Sequence, residues 1–201
     1  MRPILAILFV LLGSPAIADD AKPAPSTRVR GTIEQVSGDV VTILTKDGQH
    51  QPVLMAPDTK IGTLRALTLA DVKAGDFIAT VAVKGSDDHL RAVEVTVLPE
   101  SMRGMGEGHY PWDTGPDSSM TNATVAEVAS NADGRTVQLK YKGGEAILDV
   151  PAATPIVAPV PGDASLVVVG KAAIAFARKG ADGNLTAAYL SVEKDGVKPP
   201  M

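Results

Sequence analysis

The residues with the most chemical potential crowd into one stretch, 99–120. It holds the only tryptophan, Trp112, with Tyr110, His109, Glu107, Asp113, Met102 and Met105 close by. Glu107, His109 and Asp113 offer the oxygen and nitrogen donors that zinc sites use. Met102, Met105 and His109 offer softer donors suited to monovalent copper, at a spacing that lets a loop fold round one ion. The metal reading is therefore copper or zinc, held by Met102, Met105, Glu107 and His109. A second reading makes Glu107, His109, Tyr110, Trp112 and Asp113 a binding surface. A third makes Glu107 and His109 the acid–base pair of a hydrolase or lyase. A structural reading competes with all three. In it Tyr110, Pro111 and Trp112 plug a seam between two domains, while Glu107 and Asp113 tie the loop by hydrogen bonds.

Elsewhere the sequence offers little chemistry. It has no Gly-x-Ser-x-Gly elbow, His-Glu-x-x-His pair, phosphate loop or cysteine, so the motifs of the common hydrolases and nucleotide enzymes are missing. Gly104, Gly106 and Gly108 alternate at the wrong spacing for a dinucleotide fingerprint. His50 and His89 flank turns. Asp87, Asp88 and Asp182 sit in turns without the ligand spacing of an EF-hand. The expected class is a non-enzymatic protein. A formal net charge of −4 argues against a nucleic-acid partner, and 3% aromatic residues leave few platforms for stacking bases.

The elements that must position the loop read as short strands. Val29 to Val36, Val40 to Thr45, Gln51 to Met55, Phe77 to Val83 and Leu90 to Leu98 alternate or run apolar between turn residues such as Lys46-Asp47-Gly48 and Gly85-Ser86-Asp87-Asp88. Residues 67–76 read instead as one helical turn, with Thr68 as cap and Gly75 as stop. A second half repeats the order. Asn122 to Val128 corresponds to Arg30 to Val36, and Thr154-Pro155-Ile156 to Thr59-Lys60-Ile61. Lys84 to Ala92 aligns without gaps on Lys179 to Ala187. Such a shared register points to duplication. The expected fold is mainly β: two tandem five-stranded OB-like barrels, with a single ten-stranded sandwich as the rival.

The start of the chain reads as an export signal. Arg2 is followed by the apolar run Ile4 to Leu12, then Gly13-Ser14-Pro15 and the small-residue site Ala16-Ile17-Ala18. Later apolar stretches are too short to span a bilayer. The expected organisation is a signal peptide over 1–18, a flexible leader over 19–27, one barrel over 28–98, the joining segment over 99–120, a second barrel over 121–194 and a tail over 195–201. The expected place is the periplasm or beyond it, and the expected partner an envelope protein.

Arg30-Gly31-Thr32-Ile33-Glu34-Gln35-Val36, the turn Lys46-Asp47-Gly48 and Asp71-Val72-Lys73-Ala74-Gly75-Asp76 resemble a family of exported bacterial OB-like β-barrel domains of unknown function. The likeness covers 28–98 well and 121–194 loosely, since the second half has Val169-Gly170-Lys171 where the first has Lys73-Ala74-Gly75-Asp76. Met102 to Asp113 resembles a segment of alphaproteobacterial exported proteins often labelled metal ABC transporter permeases. That label implies at most a link to metal, since this chain has no spans with which to permeate.

Overall fold

The computed structural model describes residues 27–131 and 134–200. The expected signal peptide and nearly all of the leader lie outside them. The described chain is mainly β, and no helix in it is long and apolar enough to cross a membrane.

The first five strands are β1 (Thr27–Ser37), β2 (Val40–Thr45), β3 (His50–Leu67), β4 (Phe77–Lys84) and β5 (Leu90–Leu98). A short β6 (Gly108–Pro111) falls in the joining segment. Then come β7 (Ser119–Asn131), β8 (Gly134–Tyr141), β9 (Gly144–Pro151), β10 (Ile156–Pro161), β11 (Ala172–Lys179) and β12 (Leu185–Val192). Turn residues set the breaks. Gly38 and Gly48 adopt positive φ in the first two hairpins, where a side chain would be strained. The expected helical turn is a single 3₁₀ turn over Leu69–Asp71. The backbone N–H and hydroxyl of Thr68 both donate to Asp71 Oδ2, at 2.8 and 2.7 Å.

Strand pairing closes two rings. In the first, β1 pairs with β2, β2 with β3, β3 with β12, β12 with β11, and β11 returns to β1. In the second, β7 pairs with β8, β8 with β9, β9 with β5, β5 with β4, and β4 returns to β7. The expectation that 28–98 and 121–194 each close on themselves is corrected here. Each ring takes three strands from one half and two from the other. The cores follow the rings. Val29, Ile33, Ile43 and Val53 pack with Ala175, Leu190 and Val192, while Ile78, Ala92 and Val95 pack with Val125, Leu139 and Leu148. Leu90 and Leu185, each opposite a lysine at the end of a hairpin, face these two different cores.

The physical reason lies in β3. It does not stop at Met55 but runs on for 18 residues. Its second part pairs with β10 from Leu67↔Ile156 to Gly62↔Pro161, with Leu64 opposite Pro159. Each chain half therefore leaves its own ring along this ribbon and delivers its last two strands to the other. Pro155 O accepts from Val95 N, so alternate residues of this stretch turn their backbone groups towards β5. Pro159 and Pro161 fall on that side, where no ladder needs their missing N–H. At the heart of the first ring, a Cβ on Gly31 would lie 2.0 Å from the Leu44 carbonyl oxygen, so only glycine lets β1 and β2 approach this closely.

The exchange predicts how a cut chain behaves. A protease site placed over Gly115–Asp117 and cleaved in the folded protein should leave both halves bound, co-eluting as a 1:1 complex and melting in one transition. Halves that separate on gel filtration without denaturant would show that each closes alone.

Glu94 gives a second prediction. It lies on β5, and Thr96 Oγ1 donates to its carboxylate at 3.4 Å. Burial pushes its carboxyl from 4.5 up to about 7, and the Thr96 contact offsets only part of this. Between these values the folded chain holds a proton that the unfolded chain has lost, so stability falls as pH rises from 4.5 to about 7 and is level above. The loss has an upper bound of about 3 kcal/mol. Glu94→Gln should remove this slope and raise the melting temperature at pH 8 relative to the native chain, as differential scanning calorimetry would show.

Candidate functional site

β1 alternates. Val29, Gly31 and Ile33 point into the first ring, which leaves Arg28 and Arg30 side by side on its outer face. The joining segment supplies what covers them. β6 pairs with the start of β7, Gly108↔Asn122 to Pro111↔Ser119, and the same stretch of β7 pairs with β4. The hairpin is thus rooted in the second ring and carries its tip across to the first. The tip is held shut by Trp112 N–H donating to Ser118 O at 2.8 Å and by the buried Ser118 hydroxyl, 2.8 Å from Gly115 O and 3.0 Å from Trp112 O.

At the tip, the Trp112 ring lies over the Arg28 guanidinium, 4.0 Å from its carbon to the ring centroid, with Arg30 at 5.8 Å. Arg28 Nε donates to Asp113 Oδ2 at 3.0 Å, and Arg30 Nη2 forms an ion pair with Asp113 Oδ1 at 2.9 Å. Burial works against ionising Asp113, but hydrogen bonds from Arg30 and Arg28 outweigh it and hold the carboxyl below its usual range. Tyr110 packs at 6.0 Å from Trp112, and burial raises its phenol. Beside this clamp a cleft of about 390 Å³ opens between β1, the β2–β3 hairpin and the tip of the joining loop. Thr27, Arg28, Arg30, Lys46, Gln49, Gln51, Asp113 and Thr114 are among its walls.

The hairpin splits the residues singled out in the sequence. Asp113 lines the cleft, and Trp112 stacks on Arg28 beside it. Glu107 and His109 stay with the second ring. Glu107 Oε1 accepts from Lys142 N–H at 3.1 Å, and His109 Nδ1 lies 2.8 Å from Thr121 Oγ1 with its ring stacked near Tyr141. Met102 and Met105 lie in the turns before β6, with Met105 exposed and its carbonyl accepting from the Asn122 amide. Among the described residues, no three His, Cys, Asp or Glu side chains converge as metal ligands would. The remaining histidines pair with carboxylates, His50 with Glu34 and His89 with Asp149. Sequence reasoning missed Arg28 and Arg30. Two arginines on the polar face of an otherwise core-facing strand were the available signal, but nothing local ties them to Asp113.

The clamp predicts intermediate behaviour for Trp112, which is half-buried. Stacking on a cation contributes about 0.5–2 kcal/mol and a full core truncation costs about 3–5. Trp112→Ala should therefore cost about 1–3 kcal/mol in urea denaturation, since both terms are partial here. Iodide should quench native Trp112 only in part. Full quenching with an unchanged urea midpoint in the alanine variant would show that the ring is not seated.

Compared with known proteins, the chain matches no family model, no curated protein and no solved structure, so the reading of the cleft rests on its own geometry.

Proposed function

We propose that this is an exported, periplasmic, non-enzymatic binding protein, built of two OB-like barrels that have traded strands and locked into one body. One observation carries the reading: the cleft beside Arg28 and Arg30. It brings two arginines, a lysine, the carboxylates of Asp47 and Asp113 and several amide and hydroxyl groups to one concave surface, beside a loop stacked on Arg28 through Trp112. Its volume falls within the range of pockets that hold small ligands or a short peptide segment, roughly 300–1,000 Å³. The exchanged strands favour a binding or scaffolding role, because a ligand seated between β1 and the joining loop touches elements rooted in both rings. The duplicated order of strands, turns and one-turn helices supports an OB-like origin for both barrels. The periplasmic placement rests on the basic start, apolar run and Ala16-Ile17-Ala18 site at the head of the sequence.

Protein recovered from the envelope of its host should begin at Asp19. In native mass spectrometry it should weigh more than residues 19–201 alone, because it carries a ligand or partner. An intact Met1 on folded cytoplasmic protein would overturn the placement. A bare mass under conditions that preserve weak complexes, with nothing gained on mixing with envelope extract, would overturn the binding role.

A further inference from the structure

Arg30 is the most deeply placed charge at the clamp, with its side chain only 13% exposed. Asp113 satisfies one of its terminal nitrogens, yet its Nε is buried and has no hydrogen-bond partner. A guanidinium carries five donors in a fixed planar fork, and a buried donor left unmade is costly. Asp113 meets the fork at one edge only and spends its other oxygen on Arg28. Two arginines thus share one carboxylate, and Lys46 lines the same cleft with no ion-pair partner among the described residues. Arg28, Arg30 and Lys46 face Asp113 and Asp47 around the cleft, which leaves a net positive charge there in a chain that is acidic as a whole, at −4.

The carboxylate in place is tethered, not buried. Asp113 is 44% exposed, and the loop that carries it turns through Gly115 and Pro116 before re-entering at Ser118. We infer that the cleft is a carboxylate-binding site which Asp113 occupies in cis, and that its ligand is a carboxylate-bearing molecule that displaces Asp113 from Arg28 and Arg30. This rests on the binding role proposed above and names the ligand class. The way Asp113 sits argues for a carboxylate: a planar pair of oxygens bridges two guanidiniums, the pairing to which arginine is suited. Gln49 and Gln51 extend the donor set along the cleft, which suits an extended acidic peptide or a small polycarboxylate. Trp112, stacked on Arg28, moves with the exchange and reports it.

The mature chain, residues 19–201, is titrated with tetraglutamate, citrate, tetraglutamine and inorganic phosphate while Trp112 emission and binding heat are followed. Tetraglutamate or citrate should change the emission saturably, and tetraglutamine should not. Tighter binding of tetraglutamate assigns an acidic peptide, and tighter binding of citrate a small polycarboxylate. Asp113→Asn removes the competitor in cis and should tighten binding by about tenfold. Lys46→Gln should weaken it. Arg30→Gln should abolish it, and Arg30→Lys, which keeps the charge and is checked for an intact melting transition, should lose most of it because the fork is gone. No carboxylate response in either the native chain or Asp113→Asn, an unchanged response in Arg30→Lys, or phosphate binding as tightly as the carboxylates would overturn the site. If the chain holds a partner in native mass spectrometry while the carboxylates fail, the site falls and the binding role stands.

Discussion

From Gly62 to Leu67, β3 gives its hydrogen bonds to β10, with Leu64 opposite Pro159 at the centre of the ribbon. A strand committed to this pairing cannot turn back into its own ring. The chain beyond Leu67 must continue from the far end of the ribbon, where the second ring begins. The 3₁₀ turn at Leu69–Asp71 and the Gly75–Asp76 bend then seat β4 against β7, with Gly75 N donating to Val125 O and Val125 N to Asp76 O, both at 2.8 Å. The second half repeats the manoeuvre. Its 3₁₀ turn at Ala164–Leu166 leads to Gly170 and Lys171, which make the same two bonds to Ile33. Neither core is complete without residues from both halves, so the ribbon makes two small hydrophobic cores a single cooperative unit. That matters for stability, because a core of this size on its own is marginal.

The strands and hairpin turns were legible because strand alternation and turn chemistry are local signals. Val29, Gly31 and Ile33 face inwards whatever closes the ring around them. Partner choice is another matter. Alternation states which face is buried, not which strand buries it, so the exchange leaves no mark on the pattern. The length of β3 was hidden for a related reason. Ala56-Pro57-Asp58 falls in a register shift of the pairing with β12, and the strand carries on past it because β12 and β10 take up Lys60 to Leu67. The site divides along the same line. The unusual composition of 99–120 marked Trp112 and Asp113 directly. Arg28 and Arg30 are ordinary polar-face residues until a loop some eighty positions away lands on them.

The two rings share a backbone plan down to its irregularities. β1 and β7 shift register between Ile33 and Gln35 and between Val125 and Glu127, while β4 and β11 do so between Val81 and Ala82 and between Phe176 and Ala177. Those shifts fix which residues correspond, and the chemistry does not follow the symmetry. Arg28 and Arg30 correspond to Met120 and Asn122. Tyr189 corresponds to Glu94, and the pair Phe176–Tyr189, with ring centroids 6.0 Å apart, to Val81 opposite Glu94. The first ring has kept an outer face of cations and aromatic rings, and the second a face that carries a carboxyl forced towards neutrality by its surroundings.

The joining hairpin turns that asymmetry into a site. It grows from β7, whose Met120 and Asn122 lie where the first ring has its arginines, so it is anchored on the ring that lacks the cations and reaches the ring that has them. A hairpin rooted and docked on the same ring would cover a surface without linking anything. This one crosses, and its landing contacts are a stacked indole and a shared carboxylate, both partly open to water. Contacts of that kind hold a loop in register, and the open side of Asp113 leaves room for another acceptor to take its place on the arginines. The buried Ser118 closure keeps the tip's own shape when the landing contacts part. The rigid element in this arrangement is therefore the pair of interlocked rings, and the element free to respond is the tip that rests on Arg28 and Arg30.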